Sequence, residues 1–257
     1  MSATSAAPLI DAHTHLPSED WNGLTPWIPT VDGAVAYLKA AGTDAALFTL
    51  WQGIFAESEA DLDRSNSQAL ELAARSGGFL YPGVSIHPAF PAASRRWLAQ
   101  FRARGLLWVG ELAPYRKPYR FTEPAFLDLA ETCAAGGHIL QLHNHDDVVE
   151  IARRFPAMPV VCSHIQEALC RRLAPLPNAW LDISGSAGGL KLGALEEALA
   201  LLGPDRLLYG TDFTVYEPRC FQTQLLKAVP DPDDRDKIRS GNLLRLLAQA
   251  GSRWPFG

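Results

Sequence analysis

The sequence predicts an α/β fold, a single-domain (β/α)8 TIM barrel in which eight parallel strands alternate with helices. Short apolar and β-branched runs alternate with amphipathic, Ala- and Leu-rich runs about eight times along the chain. Several of the strand-like runs, such as AALFTL and LLWVG, are continuously apolar, as expected where helices cover both faces of a parallel sheet. A length of 257 residues suits one such barrel. We therefore expect one domain over residues 1–257, with its functional site at the C-terminal ends of the strands.

The alternation assigns approximate bounds to each element in chain order. Strands are expected near 8–14, 44–51, 79–86, 106–112, 138–143, 159–164, 179–184 and 206–211. Helices are expected near 31–41, 61–76, 93–103, 123–135, 146–155, 166–173, 193–202 and 220–228, and a last one at 233–249. An open doubly wound sheet is the alternative, and it would place a Gly-rich phosphate loop after the first strand. Because DAHTHLP stands there instead, the barrel is favoured.

Residues that commonly cap helices support these assignments. Thr122 and Asp231 precede two helical runs, and their side chains can accept hydrogen bonds from the free N–H groups of a first turn. A glycine follows four other runs, at the position where a left-handed residue commonly ends a helix: Gly42, Gly77, Gly105 and Gly136.

Composition and charge exclude several classes of protein. The chain is 47% hydrophobic and 20% charged, and its apolar runs are far shorter than the roughly 20 residues of a membrane span. The N-terminus lacks the basic and then apolar pattern of a secretory signal. The four cysteines are scattered without a CxxC pair, which favours a reduced, cytoplasmic location. A net charge of −5 does not favour nucleic acid, although a local basic groove is compatible with it, and both a monomer and a homo-oligomer are compatible with the sequence.

Ionisable residues recur at the C-terminal ends of the predicted strands, where barrels of this kind carry their chemistry. They are Asp11, His13, His15, His87, Glu111, His143, His145, His164 and Asp212. His138 is the one histidine outside this set, and it begins a strand at the opposite end of the barrel, so we expect it to be structural.

The spacing of these residues predicts a metal site. Since residues i and i+2 of a strand point to the same side, His13 and His15 can bind one ion together. Imidazole and carboxylate groups suit zinc and similar metals. The two oxygens of Glu111 could bridge two ions, and Asp212 could act both as a ligand and as the acceptor of a proton from water. A bound ion lowers the pKa of water from about 15.7 towards about 7, which makes a nucleophile available at neutral pH.

This ordered set resembles the amidohydrolase superfamily. The resemblance covers most of the chain: HxH on strand one, Glu111 on strand four, His143 on five, His164 on six and Asp212 on eight. IDAHTHL, the Asn66 helix leading to GFLYPGVSIHP, YGTDF and GNLLRLL are similar to the amidohydrolase-related branch in particular. SIHP and VGEL also resemble the TatD-like nucleases, in which the strand-four glutamate bridges a metal pair. HxH alone has little specificity, whereas the five ordered strand ends are specific.

The resemblance leaves the number of ions open. Many binuclear members use a carboxylated lysine as the bridge, but this chain has none on strand four or five, so any bridging role falls to Glu111. Many relatives in the amidohydrolase-related branch lack that glutamate and use one ion. We therefore expect one or two divalent ions, Zn²⁺ in the first place and Mn²⁺ as the alternative.

Four further residues are candidates for binding a small-molecule substrate. Arg116 and Arg120 belong to a basic loop after strand four and could pair with a carboxylate or phosphate, the alternative being a solvated loop. His87 and His145 could line the site. The alternatives are that His87 shapes a His-Pro loop and that His145 caps a helix.

Two other features of the sequence bear on function. Trp21, Trp27 and Trp51 lie in loops expected to rim the mouth and could contact a planar substrate. The segment SGSAG at 184–188 differs from the nucleophile elbow GxSxG at its first residue, so we expect a loop near the substrate rather than a nucleophile.

The predicted reaction is hydrolysis of an amide, lactone or ester by metal-activated water. Asp212 would accept the water proton, and His164 would be a ligand or would stabilise charge developing on oxygen. Three alternatives remain open. They are a TatD-like phosphodiesterase or nuclease, a zinc-dependent decarboxylase of the aminocarboxymuconate-semialdehyde decarboxylase type, and a non-catalytic barrel that keeps the metal site as a scaffold or sensor.

Overall fold

Eight parallel strands form the centre of the molecule in the computed structural model, which describes residues 7–18, 27–185 and 190–254. The strands are β1 Ile10–Leu16, β2 Ala45–Leu50, β3 Leu80–Pro82, β4 Trp108–Leu112, β5 Ile139–Leu142, β6 Val160–Cys162, β7 Ala179–Asp182 and β8 Leu207–Leu208. Each lies within or close to its predicted range. Their residues are buried, in agreement with apolar runs that are covered on both faces.

Backbone contacts close the strands into a barrel. The strands pair in chain order as β1-β2-β3 and as β4-β5-β6-β7-β8. A parallel bridge between Val84 and Val109 joins the first group to the second, and another between Thr14 and Phe213 joins the segment after β8 to β1. The (β/α)8 prediction is therefore confirmed, and the C-terminal ends of all eight strands meet at one mouth.

Helices surround the barrel. They are α1 Val31–Ala40, α2 Trp51–Ile54, α3 Glu59–Arg75, α4 Pro91–Arg102, α5 Pro124–Ala135, α6 Asp147–Arg154, α7 Glu167–Leu173, α8 Ala194–Leu202, α9 Pro218–Ala228, α10 Pro232–Asp236 and α11 Asn242–Gln249. All predicted helices are present. The predicted last helix consists of α10 and α11 joined by a π-helical turn at Lys237–Gly241, and α2 is an additional short helix at the mouth.

The helix caps agree with the sequence in part. The carboxylate of Asp231 accepts hydrogen bonds from the N–H groups of Asp233 and Asp234 and caps α10. The prediction for Thr122 is wrong, because its hydroxyl donates to Asp147 at 3.1 Å and the residue before α5 is Glu123.

The glycine predictions also need one correction. Gly42, Gly77 and Gly105 have positive φ after their helices. Gly136, by contrast, is a right-handed C-cap with φ −81°, and the next residue, Gly137, takes the left-handed conformation with φ 71°.

The core fills the barrel and the layer between strands and helices. Trp108, Tyr81 and Tyr209 are its largest fully buried side chains. At the end of the barrel opposite the mouth, the ring of His138 is buried and its Nδ1 lies 3.1 Å from the carbonyl oxygen of Cys133. This position agrees with a structural role. None of the described helices is both long and apolar enough to cross a membrane.

Candidate metal centre

His13 and His15 on β1 point into the barrel mouth from the same side of the strand. Their Nε2 atoms are 3.0 Å apart, and both side chains are 1% exposed. The Nδ1 atom of His13 lies 2.9 Å from Oδ2 of Asp182 on β7. The Nδ1 atom of His15 lies 2.9 Å from the hydroxyl of Thr49 on β2. Side chains from β7 and β2 therefore hold the two rings from behind.

The contact between the two Nε2 atoms fits a cation. A carboxylate can only accept a hydrogen bond, so Nδ1 of His13 carries a proton, and in the neutral ring that binds a metal Nε2 presents a lone pair. His15 has the same tautomer when its Nδ1–H donates to Thr49. Two lone pairs facing each other at 3.0 Å repel unless a proton lies between them, as when Nε2 of His13 is protonated, or a metal cation lies beside both. The donor set of this structure therefore matches the borderline divalent metals that imidazole prefers.

Glu111 on β4 lies between two pairs of imidazoles. Its Oε2 atom is 3.6 Å from Nε2 of His13 and 3.3 Å from Nε2 of His15. Its Oε1 atom is 3.1 Å from Nδ1 of His143 and 3.5 Å from Nε2 of His164. The two oxygens of one buried carboxylate thus face different ligand pairs.

Asp212 completes the cluster from the segment after β8. Its Oδ1 atom lies 3.3 Å from Nε2 of His15 and 3.7 Å from Nε2 of His13. Two groups of potential ligands converge within 4.8 Å, namely His13, His15 and Asp212, and His13, Glu111 and His164. His143 lies beside the second group, with a quarter of its side chain exposed to the mouth.

Two of these residues have a left-handed backbone. The φ angle is 63° at His164 and 59° at Asp212. The N–H of Asp212 donates to the carbonyl of His13 at 2.8 Å, and the N–H of His164 donates to Asp182 at 3.2 Å. Non-glycine residues held in such conformations cost about 1–3 kcal/mol each and concentrate at functional sites.

Burial and mutual charge shift the protonation of the carboxylates. Burial raises the pKa of Asp212 to about 8, although His13 acts to lower it. Burial would also raise the pKa of Glu111, but the positive charges of His13 and His143 hold it well below its usual range.

The histidines are shifted in opposite directions. Burial lowers the pKa values of His15 and His164 to about 4. Burial also acts to lower the pKa of His13, but the charges of Asp182 and Glu111 outweigh it and hold this pKa well above the usual value. Protons on His13 and Asp212 thus supply positive charge to buried carboxylates, which is the electrostatic role of a cation.

Asp182, Thr49 and Ser184 contact the cluster and were not predicted. Asp182 stands in WLDISG at the end of an apolar strand, which is the same signal that identified Asp212. The Ser184 hydroxyl is buried, contacts Asp182, and lies 2.7 Å from Nδ1 of His164. It therefore faces the back of the ligand rings, and the rest of SGSAG beyond residue 185 lies outside the described residues.

The predicted basic loop after β4 lies at the mouth. Nε of Arg116 is 4.0 Å from Glu57, and its guanidinium lies over the ring of Phe55 at 5.9 Å from the centroid. Arg120 makes two hydrogen bonds to the buried carboxylate of Asp147, at 3.2 and 2.6 Å. A substrate-binding role for either arginine stays a prediction.

The two histidines predicted to line the site contact the protein rather than the cluster. His87 is buried, with Nε2 3.2 Å from the carbonyl oxygen of Lys117 and its ring against Tyr119. His145 is half exposed, and its Nδ1 accepts a hydrogen bond from the N–H of Asp147 at 3.1 Å. This geometry matches the capping alternative for His145.

Aromatic side chains form one wall of the mouth. The ring of Trp51 is 4.5 Å from that of His15, Phe55 lies 5.8 Å from Trp51, and Tyr115 stacks on Phe55 at 5.4 Å. The Tyr115 hydroxyl is 3.3 Å from Nδ1 of His143. Of the other predicted rim tryptophans, Trp27 is 88% exposed and Trp21 lies outside the described residues.

Comparison with known proteins identifies the family and supports the fold. A family model described as amidohydrolase matches residues 10–248. The 5-carboxyvanillate decarboxylase from Sphingomonas paucimobilis is similar with a TM-score of 0.77 and 15% identity, over 95% of this chain and 99% of that chain. A dihydroxybenzoic acid decarboxylase from a Polaromonas species was solved with manganese and the inhibitor 2-nitroresorcinol. It is similar with a TM-score of 0.69 and 15% identity, over 94% of this chain and 97% of that chain.

A hydrolase is among the similar structures as well. The probable 2-pyrone-4,6-dicarboxylic acid hydrolase from Acinetobacter baumannii, solved with citric acid, has a TM-score of 0.65 and 13% identity, over 93% of this chain and 99% of that chain. No curated protein sequence gives a match. Identities this low show the shared barrel fold only, whereas the family model covers nearly the whole chain. The protein is therefore an enzyme that belongs to the amidohydrolase family.

Proposed function

We propose that the protein is a divalent-metal-dependent hydrolase that acts on an amide, lactone or ester bond of a small molecule. The observation that carries this proposal is the position of Glu111, whose two oxygens face separate pairs of imidazoles. A carboxylate in that position can bridge two ions. His13, His15 and Asp212 would bind the first ion, His143 and His164 the second, and Glu111 both.

The donor set supports Zn²⁺ as the first choice, because imidazole and carboxylate groups are its usual ligands in catalytic sites. Mn²⁺ is the alternative, and the similar Polaromonas decarboxylase contains it. Ions held here would supply Lewis acidity, lowering the pKa of water and polarising the substrate oxygen.

Asp212 is the proposed general base. Its side chain is 12% exposed, against 3% for Glu111, so it is the carboxylate that reaches furthest into the mouth. Once a cation displaces its proton, Asp212 can accept a proton from water and pass it to the leaving group.

His164 is proposed as a ligand in the first place. Its Nδ1 lies 2.7 Å from the Ser184 hydroxyl, which supports a neutral ring with the lone pair on Nε2. The second predicted role, stabilising charge on a substrate oxygen, requires a proton on Nε2. Burial opposes that proton, since it lowers the pKa of His164 to about 4.

Tyr115 is a candidate for contacting the substrate. Burial raises the pKa of Tyr115 well above its usual value, so the phenol stays protonated at neutral pH. Its hydroxyl beside His143 can donate a hydrogen bond to a substrate oxygen, while the ring, Phe55 and Trp51 present an apolar wall. Arg116 at the edge of this wall is placed to pair with a substrate carboxylate.

A decarboxylase is the second candidate. It is favoured by the similarity to decarboxylases of aromatic acids, and opposed by a glutamate placed between two ligand pairs. A phosphodiesterase has less support, because two of the three cations of the loop after β4 contact other side chains. Arg120 is bound to Asp147, and the Lys117 amine lies 5.6 Å from the ring centroid of Phe90.

A substrate panel separates these reactions. Metal-free protein would be loaded with Zn²⁺ or Mn²⁺ and assayed on esters, lactones, amides and phosphodiesters, with CO₂ release from 2,6-dihydroxybenzoate measured in parallel. We expect hydrolysis of a carboxylic ester, lactone or amide that chelation abolishes and metal restores, and that Glu111→Gln reduces. Metal-dependent CO₂ release without hydrolysis would overturn the proposal in favour of the decarboxylase.

A further inference from the structure

Asp182 lies behind the ligands, at the end of β7, and is completely buried. Its Oδ2 atom accepts hydrogen bonds from Nδ1 of His13 at 2.9 Å and from Nε2 of Gln141 at 3.0 Å. Its Oδ1 atom accepts from the N–H groups of His164 at 3.2 Å and Ser184 at 3.0 Å, and from the Ser184 hydroxyl. Both oxygens of this carboxylate are therefore fully engaged.

Ser184 extends the reach of Asp182 to the ring of His164. A serine hydroxyl has one proton, and beside a carboxylate that proton goes to the carboxylate. Oγ of Ser184 must then accept the contact at 2.7 Å from His164, so Nδ1 of His164 carries the proton. Oγ also lies 3.1 Å from Nδ1 of His13, whose closer acceptor is Asp182. One carboxylate thus sets the tautomers of both histidines.

The charge of Asp182 lacks a permanent cationic partner nearby. Within the part of the chain that the structure describes, its ion pair is with His13 and its other partners are neutral donors. Burying a carboxylate away from positive charge is costly. A cation on Nε2 of His13 would supply positive charge to Asp182 through the imidazole ring.

We propose that Asp182 is a positioning residue that couples the two ion sites. It fixes His13 directly for the first ion and, through Ser184, fixes His164 for the second. The Thr49 hydroxyl contacts Nδ1 of His15, a ligand of the first ion, so Thr49 is a matched partner on the side of that ion. This inference rests on the two-ion centre of the proposed function and does not depend on which bond the enzyme cleaves.

Cobalt titration tests the coupling. Metal-free wild type, Asp182→Asn, Ser184→Ala and Thr49→Val would be titrated with Co²⁺ while visible absorption is followed, with a competing chelator to obtain each affinity. Asn keeps the shape of Asp182 but turns one acceptor into a donor that faces other donors. We expect Asp182→Asn to lower the affinity for both ions by about 10–100-fold, the usual effect of losing such a partner. Ser184→Ala should lower mainly the affinity for the second ion, and Thr49→Val mainly the affinity for the first.

Three results would overturn the coupling. The first is Asp182→Asn with wild-type affinity for either ion, provided that circular dichroism of the metal-free protein is unchanged. The second is Ser184→Ala with wild-type affinity for the second ion. This variant tests the coupling even if Asp182→Asn does not fold. The third is a wild-type protein that binds a single ion, which would also remove the two-ion centre. Two bound ions without hydrolysis would overturn the proposed reaction alone.

Discussion

His164 and Asp212 combine a left-handed backbone with burial, since each residue is only 9% exposed. At Asp212 the buried carboxylate also lies in the field of Glu111, which acts to raise its pKa further. A protein without a cation therefore holds, at the same residue, a strained backbone and a carboxyl group whose ionisation is disfavoured. Such combinations are retained where function requires them, so the residue most important for the proposed chemistry should also be one that destabilises the metal-free fold.

Asp212→Asn tests whether Asp212 both serves the reaction and destabilises the metal-free fold. Asn has the same shape, tolerates the left-handed conformation, and removes the buried charge. We expect kcat of the metal-loaded enzyme to fall by about 10²–10⁴-fold because the general base is lost. The urea midpoint of the metal-free variant should equal or exceed that of wild type. Near-normal kcat would contradict the assignment of Asp212.

Metal affinity should depend on pH with a definite sign. The pKa of Asp212 is raised to about 8 and that of His13 is raised, so in the metal-free protein both hold protons at pH 6 that an ion must displace. The apparent affinity should therefore increase from pH 6 to pH 8, by about tenfold per pH unit for each proton released. Chelator competition at several pH values measures this slope. In Asp212→Asn the slope should decrease by one proton, and an affinity independent of pH would contradict the expected proton release.

At the scale of elements, side chains from helices and loops fix the positions of the strand ends. Asn66 on α3 is buried and makes two hydrogen bonds to Ser85 after β3: its amide donates to the Ser85 carbonyl, and its oxygen accepts from the Ser85 N–H, each at 2.9 Å. These bonds replace ladder pairing where β3 ends and hold the segment that continues to His87. The Asn66 helix seen in the sequence thus has a structural function.

Asn66→Ala should destabilise the fold. The substitution leaves the buried N–H and carbonyl of Ser85 without partners, which costs about 1–3 kcal/mol. Urea denaturation of the metal-free protein measures the loss. Ser67→Ala on the exposed side of the same helix is the matched control and should stay within about 0.5 kcal/mol of wild type. Equal stabilities of the two variants would show that the Asn66 bonds are not required.

Substituting the two arginines after β4 should have different effects on substrate binding and on stability. Arg116 is exposed at the aromatic wall, so Arg116→Ala should raise KM for a carboxylate-bearing substrate and leave Tm unchanged. Arg120 compensates Asp147 at the start of α6, so Arg120→Ala should lower Tm. Thermal unfolding and steady-state kinetics on the substrate identified by the panel measure both. If neither variant changes KM, a substrate role for this loop is wrong.

The predictable part of these elements is the part that depends on local pattern. Strands and helices lie close to their expected bounds because apolar runs and helical periodicity are local. The helix α2 was not predicted, since its four residues WQGI are too few to show a period. Thr122 was assigned as a cap from its neighbours alone, whereas in the fold its hydroxyl donates to Asp147, 25 residues away. Contacts between elements of this kind leave no local signal.

At the scale of the whole molecule, the barrel converts an order along the sequence into a cluster in space. Five different strands carry the cluster residues at or just after their ends: His13, Glu111, His143, His164 and Asp212. The order of these residues along the chain is enough to match the pattern of a family. The sequence did not indicate that Asp182 holds two of them, because its contacts reach back to β1 and forward to Ser184. Strand ends are therefore predictable from topology, whereas the partners behind them depend on packing.

The metal content per chain tests the two-ion centre most directly. Elemental mass spectrometry would be applied to protein purified without chelator or added metal, and again after reconstitution with excess Zn²⁺ or Mn²⁺. The position of Glu111 predicts about two equivalents of divalent transition metal, and about one in Glu111→Gln. One equivalent in the reconstituted wild type would contradict the bridging role and favour a mononuclear enzyme. No bound metal, even with excess in solution, would contradict the metal centre itself.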